Sequence, residues 1–264
     1  MRFALSAAGL ALCLAATPAL AASKAPAAHA PAAGAFDRHD FTGTWDRYPA
    51  PGDSRRDPTV KAPPPDVSPP PLKPEYKPAY DALTKKVAEA NATGHPPVTG
   101  YVQCLPDGMP AMMMGMFPME VLQTKKQVTI IQEAYNQVRR IYMGEELPKV
   151  DDAEPGFWGH SVGHWEGDTL VVDTIGIKDY VRFRNAPHSP DMRIHERIRV
   201  LGPEYFEDQI TVTDPQYLTG PWSWTWMYKR RPGYHMFEYV CEDNREYADP
   251  VTGEQRLRVT KPGS

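Results

Sequence analysis

The chain has 264 residues, of which 33 are acidic and 29 are basic, so its formal net charge is −4. This near balance, without a basic patch, excludes the positive field that attracts nucleic acid, and we expect no nucleic-acid partner. The 29 prolines exceed the average of about one residue in twenty and cluster early, which predicts an extended arm.

The first 21 residues have the pattern of a cleaved signal peptide. Arg2 supplies a positive charge, an Ala- and Leu-rich run follows, and Ala19-Leu20-Ala21 offers the small-x-small pattern that a signal peptidase needs. The apolar run is shorter than the roughly 20 residues of a membrane span. We therefore expect a periplasmic or secreted protein without a transmembrane helix.

Residues 22–103 are predicted to precede the main domain. Residues 22–35 are Ala- and Pro-rich and predict a disordered lead-in, whereas residues 36–103 combine three features. These are a short aromatic strand ending near Trp45, a proline-rich arm at 49–74 that we expect to wrap the domain, and a helix at 76–92. The arm must be extended because proline lacks the donor that a β-ladder requires.

Beyond Cys104, runs of residues rich in Val, Ile, Thr, Tyr and Trp recur between turn signals. The runs lie at 119–124, 128–135, 137–143, 160–165, 169–175, 192–201, 205–213, 222–229 and 234–241. Together with the strand near Trp45 they predict an antiparallel meander that closes into a barrel, since closure removes exposed edges. A β-sandwich is the alternative. We place the barrel domain at 104–248 and a C-terminal tail at 249–264.

Two cysteines remain once the signal peptide, which carries Cys13, is removed. Cys104 and Cys241 would then lie in a compartment that permits disulfides, and a bond between them would tie the segment before the barrel to its last predicted strand. Two buried thiols are the alternative.

Glu196 is the leading candidate for acid or base chemistry. Alternation along the run at 192–201 puts it on the face that also carries Met192, Ile194 and Ile198. Burial among aliphatic side chains would raise the pKa of a carboxyl toward a useful range. The structural alternative is a partner from a neighbouring strand, either Arg139 or Arg140.

The histidines are candidates for proton transfer. His160 and His164 are four residues apart in a predicted strand, hence about 13 Å apart on one face and too far to share a metal. His188 lies in a proline-framed loop at the expected barrel rim, from which it could face Glu196 or His160. For each histidine the alternative is an ordinary structural residue, and we predict no metal site.

Two further sets extend the candidate site. Asp173 shares a strand face with Val171 and Ile175, which makes it a second candidate for an inward carboxylate; the alternative is a partner for an arginine near a turn. An aromatic stripe on the last long run either fills the core or lines a pocket for a flat apolar ligand; it consists of Trp222, Trp224, Trp226 and Tyr228. The methionine-rich segment at 109–119 is interpreted as a lid or mouth, with copper binding as the alternative.

No Gly-rich phosphate loop, nucleophile elbow or Cys-x-x-Cys pair is present, so we predict no cofactor. Three stretches carry a resemblance: FPMEVLQT at 117–124, RRIY at 139–142 and GHSVGHWEGDTLVVDT at 159–174. With Pro187-His188-Ser189 and Glu196-Arg197, they resemble a large family of uncharacterised exported bacterial proteins over residues 104–244. Gly43-Thr44-Trp45 is also similar to the motif that opens lipocalin barrels, in which the Trp packs at the closed end. The resemblance implies export and a lipocalin-like fold.

Three functions are compatible with these patterns. The first is an exported barrel enzyme that acts on a small apolar or aromatic molecule by cofactor-independent acid/base chemistry, as a lyase, isomerase or hydrolase. Glu196 would be its acid or base, His188 and His160 its partners, and Arg140 and Tyr142 the orienting groups. The second is a carrier of a small hydrophobic ligand, with His164 and Asp173 among the residues that orient it. The third is an envelope interaction module that docks through the proline arm.

Overall fold

The computed structural model describes residues 36–50, 57–64, 66–92, 104–241, 246–248 and 255–257. The predicted signal peptide and lead-in lie outside the described residues, as does most of the predicted C-terminal tail. No helix among the described residues is long and apolar enough to cross a membrane.

Nine strands form the main sheet, in agreement with the predicted mostly β fold. They are β1 (Gly43–Tyr48), β2 (Met119–Gln123), β3 (Gln127–Gln132), β4 (Gln137–Met143), β5 (His160–Glu166), β6 (Thr169–Ile175), β7 (Arg193–Gly202), β8 (Tyr205–Thr213) and β9 (Trp222–Arg230). A separate pair, β10 (Glu246–Ala248) and β11 (Gln255–Leu257), forms a two-stranded sheet. The helix α1 spans Lys77–Ala92, within one residue of the prediction, and carries no buried side chain.

The sheet closes into a barrel because β1 pairs with both β2 and β9. Neighbouring strands are antiparallel except β4 and β5, which run parallel and require the crossover at 144–159. The closed, lipocalin-like barrel that the sequence predicts is confirmed, with this one departure from a pure meander. The predicted strand at 234–241 was wrong, because β1 rather than this segment pairs with β9 and completes the circle.

Trp45 closes one end of the barrel. Its indole is fully buried, donates from Nε1 to the Phe41 carbonyl at 2.9 Å and packs edge-on against Phe206. The Arg230 guanidinium lies 4.2 Å from the centre of a Trp45 ring. Gly43 leaves room for that guanidinium, since a Cβ there would lie 2.6 Å from its Nη1.

The described parts of the proline arm pack on the barrel, as predicted. Val60 contacts the outer cluster formed by Tyr48, Tyr205 and Met227. Further along, the Ser68 carbonyl accepts a hydrogen bond from Trp222 Nε1 at 2.8 Å, and residues 71–73 bond to residues 217–219. The arm therefore belongs to the folded barrel.

Cys104 and Cys241 form a disulfide across 137 residues, with their Cα atoms 5.6 Å apart. This confirms the predicted pairing over the buried-thiol alternative. The bond ties the chain before β2 to the chain after β9.

Candidate functional site

An ion pair crosses the barrel interior. Arg139 of β4 and Glu196 of β7 both point inward, and neither side chain is exposed. Arg139 Nη1 donates to Glu196 Oε1 at 2.8 Å, and Arg139 Nη2 donates to Oε2. Arg139 Nε and Nη2 also reach Ser161 Oγ at 3.2–3.3 Å, and Nη2 reaches Thr174 Oγ1 at 3.0 Å. The carboxylate is thus neutralised by Arg139, one of the two partners that the sequence offered.

Asp208 of β8 is the second interior carboxyl. It alternates with Phe206 and Ile210 on the inward face and is fully buried. Neither of its oxygens makes a hydrogen bond of ordinary geometry in the described part of the chain, although the Glu196 carboxyl lies beside it. Burial raises its pKa well above the ordinary value. The negative charge of Glu196 and its contact with the protonated Asp208 carboxyl raise the pKa further, against the opposing effect of Arg139. Asp208 therefore keeps its proton where an exposed aspartate loses it.

The predicted aromatic stripe lines the interior along β9, and a loop phenylalanine fills the space beside it. The Phe183 ring centre lies 5.5 Å from that of Trp222, 5.1 Å from Trp224 and 5.8 Å from Trp226. Trp224 Nε1 is buried and has no hydrogen-bond partner among the described residues. The fourth member, Tyr228, is fully buried, stacks on Phe206 and donates its hydroxyl to the Met113 carbonyl.

The methionine-rich segment plugs the end of the barrel opposite Trp45. A short 3-10 helix, Ala111–Met114, presents three successive carbonyls to interior donors. Gln132 bonds to Met112 at 2.9 Å, Tyr228 to Met113, and Arg47 to Met114 at 3.0 Å. Donors on three different strands thus fix this segment over the barrel mouth.

The second covering element of that mouth is the loop at 178–189, which carries Phe183. His188 Nε2 lies 3.1 Å from the Lys178 carbonyl and 2.9 Å from the Val181 carbonyl. The imidazole therefore connects the end of the loop to its beginning. Ser189 anchors the loop to Asp214 through its backbone N–H at 2.6 Å and its hydroxyl at 3.0 Å. Arg184 has a left-handed φ of 50°, a conformation that is strained for a residue with a side chain.

A small apolar pocket lies between the plug and this loop. Its lining includes Met109, Phe183, His188, Met192 and Trp222. The volume of this pocket is about 20 Å³, which is enough for about one water molecule. The mouth is therefore closed, and displacement of Phe183 would enlarge this pocket toward Trp224 and Trp226.

A second, open groove lies at the Trp45 end of the barrel. Its volume is about 710 Å³, and its lining includes Asp37, His39, Lys125, His164 and Trp165. His39 closes one side because its ring packs 4.3 Å from that of Trp165 and its Nε2 lies 2.8 Å from the Gly167 carbonyl. This polar groove is separate from the interior carboxyls.

The structure does not bring the predicted catalytic set together. Glu196 points into the barrel, whereas Arg140 is exposed on the opposite face of β4. Tyr142 also lies on that outer face and stacks on His160, with ring centres 5.4 Å apart. The side chain of His188 is committed to loop carbonyls at the mouth. The grouping fails because the alternation that turns Arg139 inward turns its neighbours outward.

Two ligand-binding candidates also lie on the outer surface. His164 is half-exposed and lies 3.4 Å from Glu166. The prediction that Asp173 faces inward was wrong: its Oδ1 lies 2.8 Å from His195 Nδ1, and both side chains are 43% exposed. Val171 and Ile175 are buried on the outer face of β6, so an apolar face there does not mark the interior.

Two interior ionisable residues escaped the sequence reasoning. Asp208 alternates with Phe206, Ile210 and Val212, the same signal that identified Glu196, and could have been found by it. Arg47 lies in the short strand β1, which offered no comparable signal; its guanidinium lies 4.9 Å from the centre of a Trp226 ring.

No cluster of three or more metal-ligating side chains occurs in the described ranges. Comparison of the chain with protein-family models and with curated proteins finds no match.

Proposed function

We propose that this protein is an exported barrel that binds a small, flat, apolar molecule in its interior, behind the loop at 178–189. One observation carries the proposal: two buried polar groups on the neighbouring strands β8 and β9, the Asp208 carboxyl and Trp224 Nε1, make no hydrogen bond of ordinary geometry among the described residues, and the group beside Asp208 is another carboxyl, that of Glu196. Such groups cost about 1–3 kcal/mol each when unsatisfied, which a ligand that bonds to them would recover.

The position of Phe183 supports this proposal. Its ring packs against three indoles, as the ring of a ligand would, and it comes from a loop rather than from a strand. The loop holds together through its own His188 bonds, so it can move as a unit once Phe183 leaves. Exchange of Phe183 for a ligand ring would then open the compartment without dismantling the barrel.

Export is supported by the disulfide as well as by the N-terminal sequence pattern. Disulfides persist in oxidising compartments and are rare in the cytosol. The Cys104–Cys241 bond is therefore in keeping with a periplasmic or secreted protein.

Native mass spectrometry of the mature protein from an exporting bacterium, before and after solvent extraction, tests the binding function. We expect a small-molecule mass that extraction removes and that returns when the extract is added back. Trp224→Phe, which deletes the unpartnered indole N–H, should weaken retention. Trp165→Phe at the opposite end should not. An empty protein that also takes up none of the extract would contradict the proposal.

A second candidate function, acid/base catalysis, is favoured by the neighbouring Asp208 and Glu196 carboxyls. Two carboxyls in different protonation states divide the roles of acid and base in many enzymes. Here Asp208 would hold the proton, and Glu196 is the carboxyl that pairs with Arg139. Prolonged incubation with the recovered ligand distinguishes an enzyme from a carrier. Product that forms with the wild type and not with Asp208→Asn indicates an enzyme, whereas unchanged ligand indicates a carrier.

A further inference from the structure

The polar cluster inside the barrel contains two carboxyls and one guanidinium in mutual range. Arg139 donates to Glu196, Ser161 and Thr174, and no hydrogen bond from it reaches Asp208 among the described residues. The charge of Arg139 nevertheless acts on Asp208. If both carboxyls were ionised, two negative charges would share the one guanidinium of this cluster.

The wall beside Asp208, formed by β9, is suited to supply the rest of a cation site. Asp208 pairs across strands with Trp226, and Ile210, the next inward residue of β8, pairs with Trp224. Directly opposed residues have Cβ atoms about 4.5–5.5 Å apart, so the carboxyl and these indoles border one space. The face of an indole attracts cations, and this wall already holds one, since the Arg47 guanidinium lies over Trp226 at 4.9 Å.

We propose that the ligand of the barrel is an organic cation with a flat apolar body, whose ammonium group pairs with Asp208 while its body replaces Phe183. This inference rests on the proposed function and specifies its ligand class. The ammonium would offset the charge of Asp208, which would release its proton as the ligand enters. A carboxylate ligand would gain no such pairing and would lie near the negative charge of Glu196.

Three probes of similar shape and different charge test the ligand class: 2-phenylethylamine, 2-phenylethanol and phenylacetate. Each is titrated calorimetrically at pH 7 into the full mature protein, in two buffers of different ionisation enthalpy. We expect the amine to bind at least tenfold more tightly than the alcohol, with release of a proton to the buffer. Asp208→Asn should abolish this preference, whereas Asp173→Asn, on the outer surface, should preserve it.

The possible outcomes distinguish a failure of the cation assignment from a failure of the proposed binding function. An alcohol or carboxylate that binds as tightly as the amine would overturn the cation assignment and leave the barrel a binder of apolar molecules. Failure of all three probes to bind, to the wild type and to Phe183→Ala alike, would overturn both. The affinities of the three probes for the wild type are enough to test the cation assignment. This test does not depend on the stability of the Asp208→Asn variant.

Discussion

Arg139 and Glu196 lie on β4 and β7, which are separated in the sheet by the two strands β5 and β6, and their side chains form a bidentate ion pair inside the barrel. The contact exists only when the sheet is curved into a closed barrel. It therefore connects the stability of the fold to the geometry of the interior site, where the same guanidinium sets the charge environment of Asp208.

Glu196→Gln should lower the free energy of unfolding by about 3–5 kcal/mol, because it leaves Arg139 buried without its counter-charge. Urea denaturation measures the change. Glu166→Gln is the matched control: Glu166 pairs with Arg197 on the surface at 2.8 Å, and its loss should change stability little. Equal stability of Glu196→Gln and wild type would contradict the assigned pairing.

The stability of the protein should fall as pH rises above the ordinary pKa of an aspartate, 3.8, through the raised pKa of Asp208. In this interval the folded state holds a proton that the unfolded state has lost, so unfolding becomes progressively easier. Asp208→Asn, which mimics the protonated form, should remove this contribution. Denaturation midpoints of both proteins from pH 4 to pH 9 check the prediction; parallel curves would refute the assigned protonation.

Phe183→Ala should cost about 3–5 kcal/mol and leave a cavity beside the indoles. Apolar cavities of about 150 Å³ bind benzene, so benzene should raise the melting temperature of this variant more than that of the wild type. Phe237→Ala is the control, because Phe237 is 68% exposed and its loss should change stability little. Absence of a benzene effect would mean that the loop collapses into the space.

Replacement of Cys104 and Cys241 by serine should lower stability by about 2–5 kcal/mol, since the bond closes a 137-residue separation. Thermal unfolding of the double variant beside the oxidised and reduced wild type measures this. A melting temperature equal to that of the oxidised protein would show that the bond contributes nothing to the fold.

The sequence predicted the barrel well because its strands alternate strongly and its turns are clear. Three strands, β4, β6 and β8, have the predicted bounds. The parallel pairing of β4 and β5 could not be predicted, because their partnership depends on a crossover whose path carries no periodic signal. The run at 234–241 was wrongly predicted as a strand for a related reason. It has the composition of a strand, but strand pairing is not determined locally, and β1 already occupies the edge of β9.

The site was only partly predictable. The alternation of side chains along a strand correctly predicted that Glu196 and the aromatic stripe face inward, because β7 and β9 each have one apolar and one polar face. It failed for Asp173, where both faces of β6 are apolar. Phe183 lies in a loop, so no strand pattern could have placed it among the indoles. Which interior carboxyl meets a guanidinium depends on curvature, which the sequence does not encode locally.

The most direct test of the account is a crystal structure of the protein grown with 2-phenylethylamine. We predict that Phe183 has left the aromatic compartment, that the phenyl ring lies against Trp224, and that the ammonium nitrogen lies within hydrogen-bond distance of an Asp208 oxygen. A structure in which the amine binds elsewhere, with Phe183 still packed on the indoles, would contradict it.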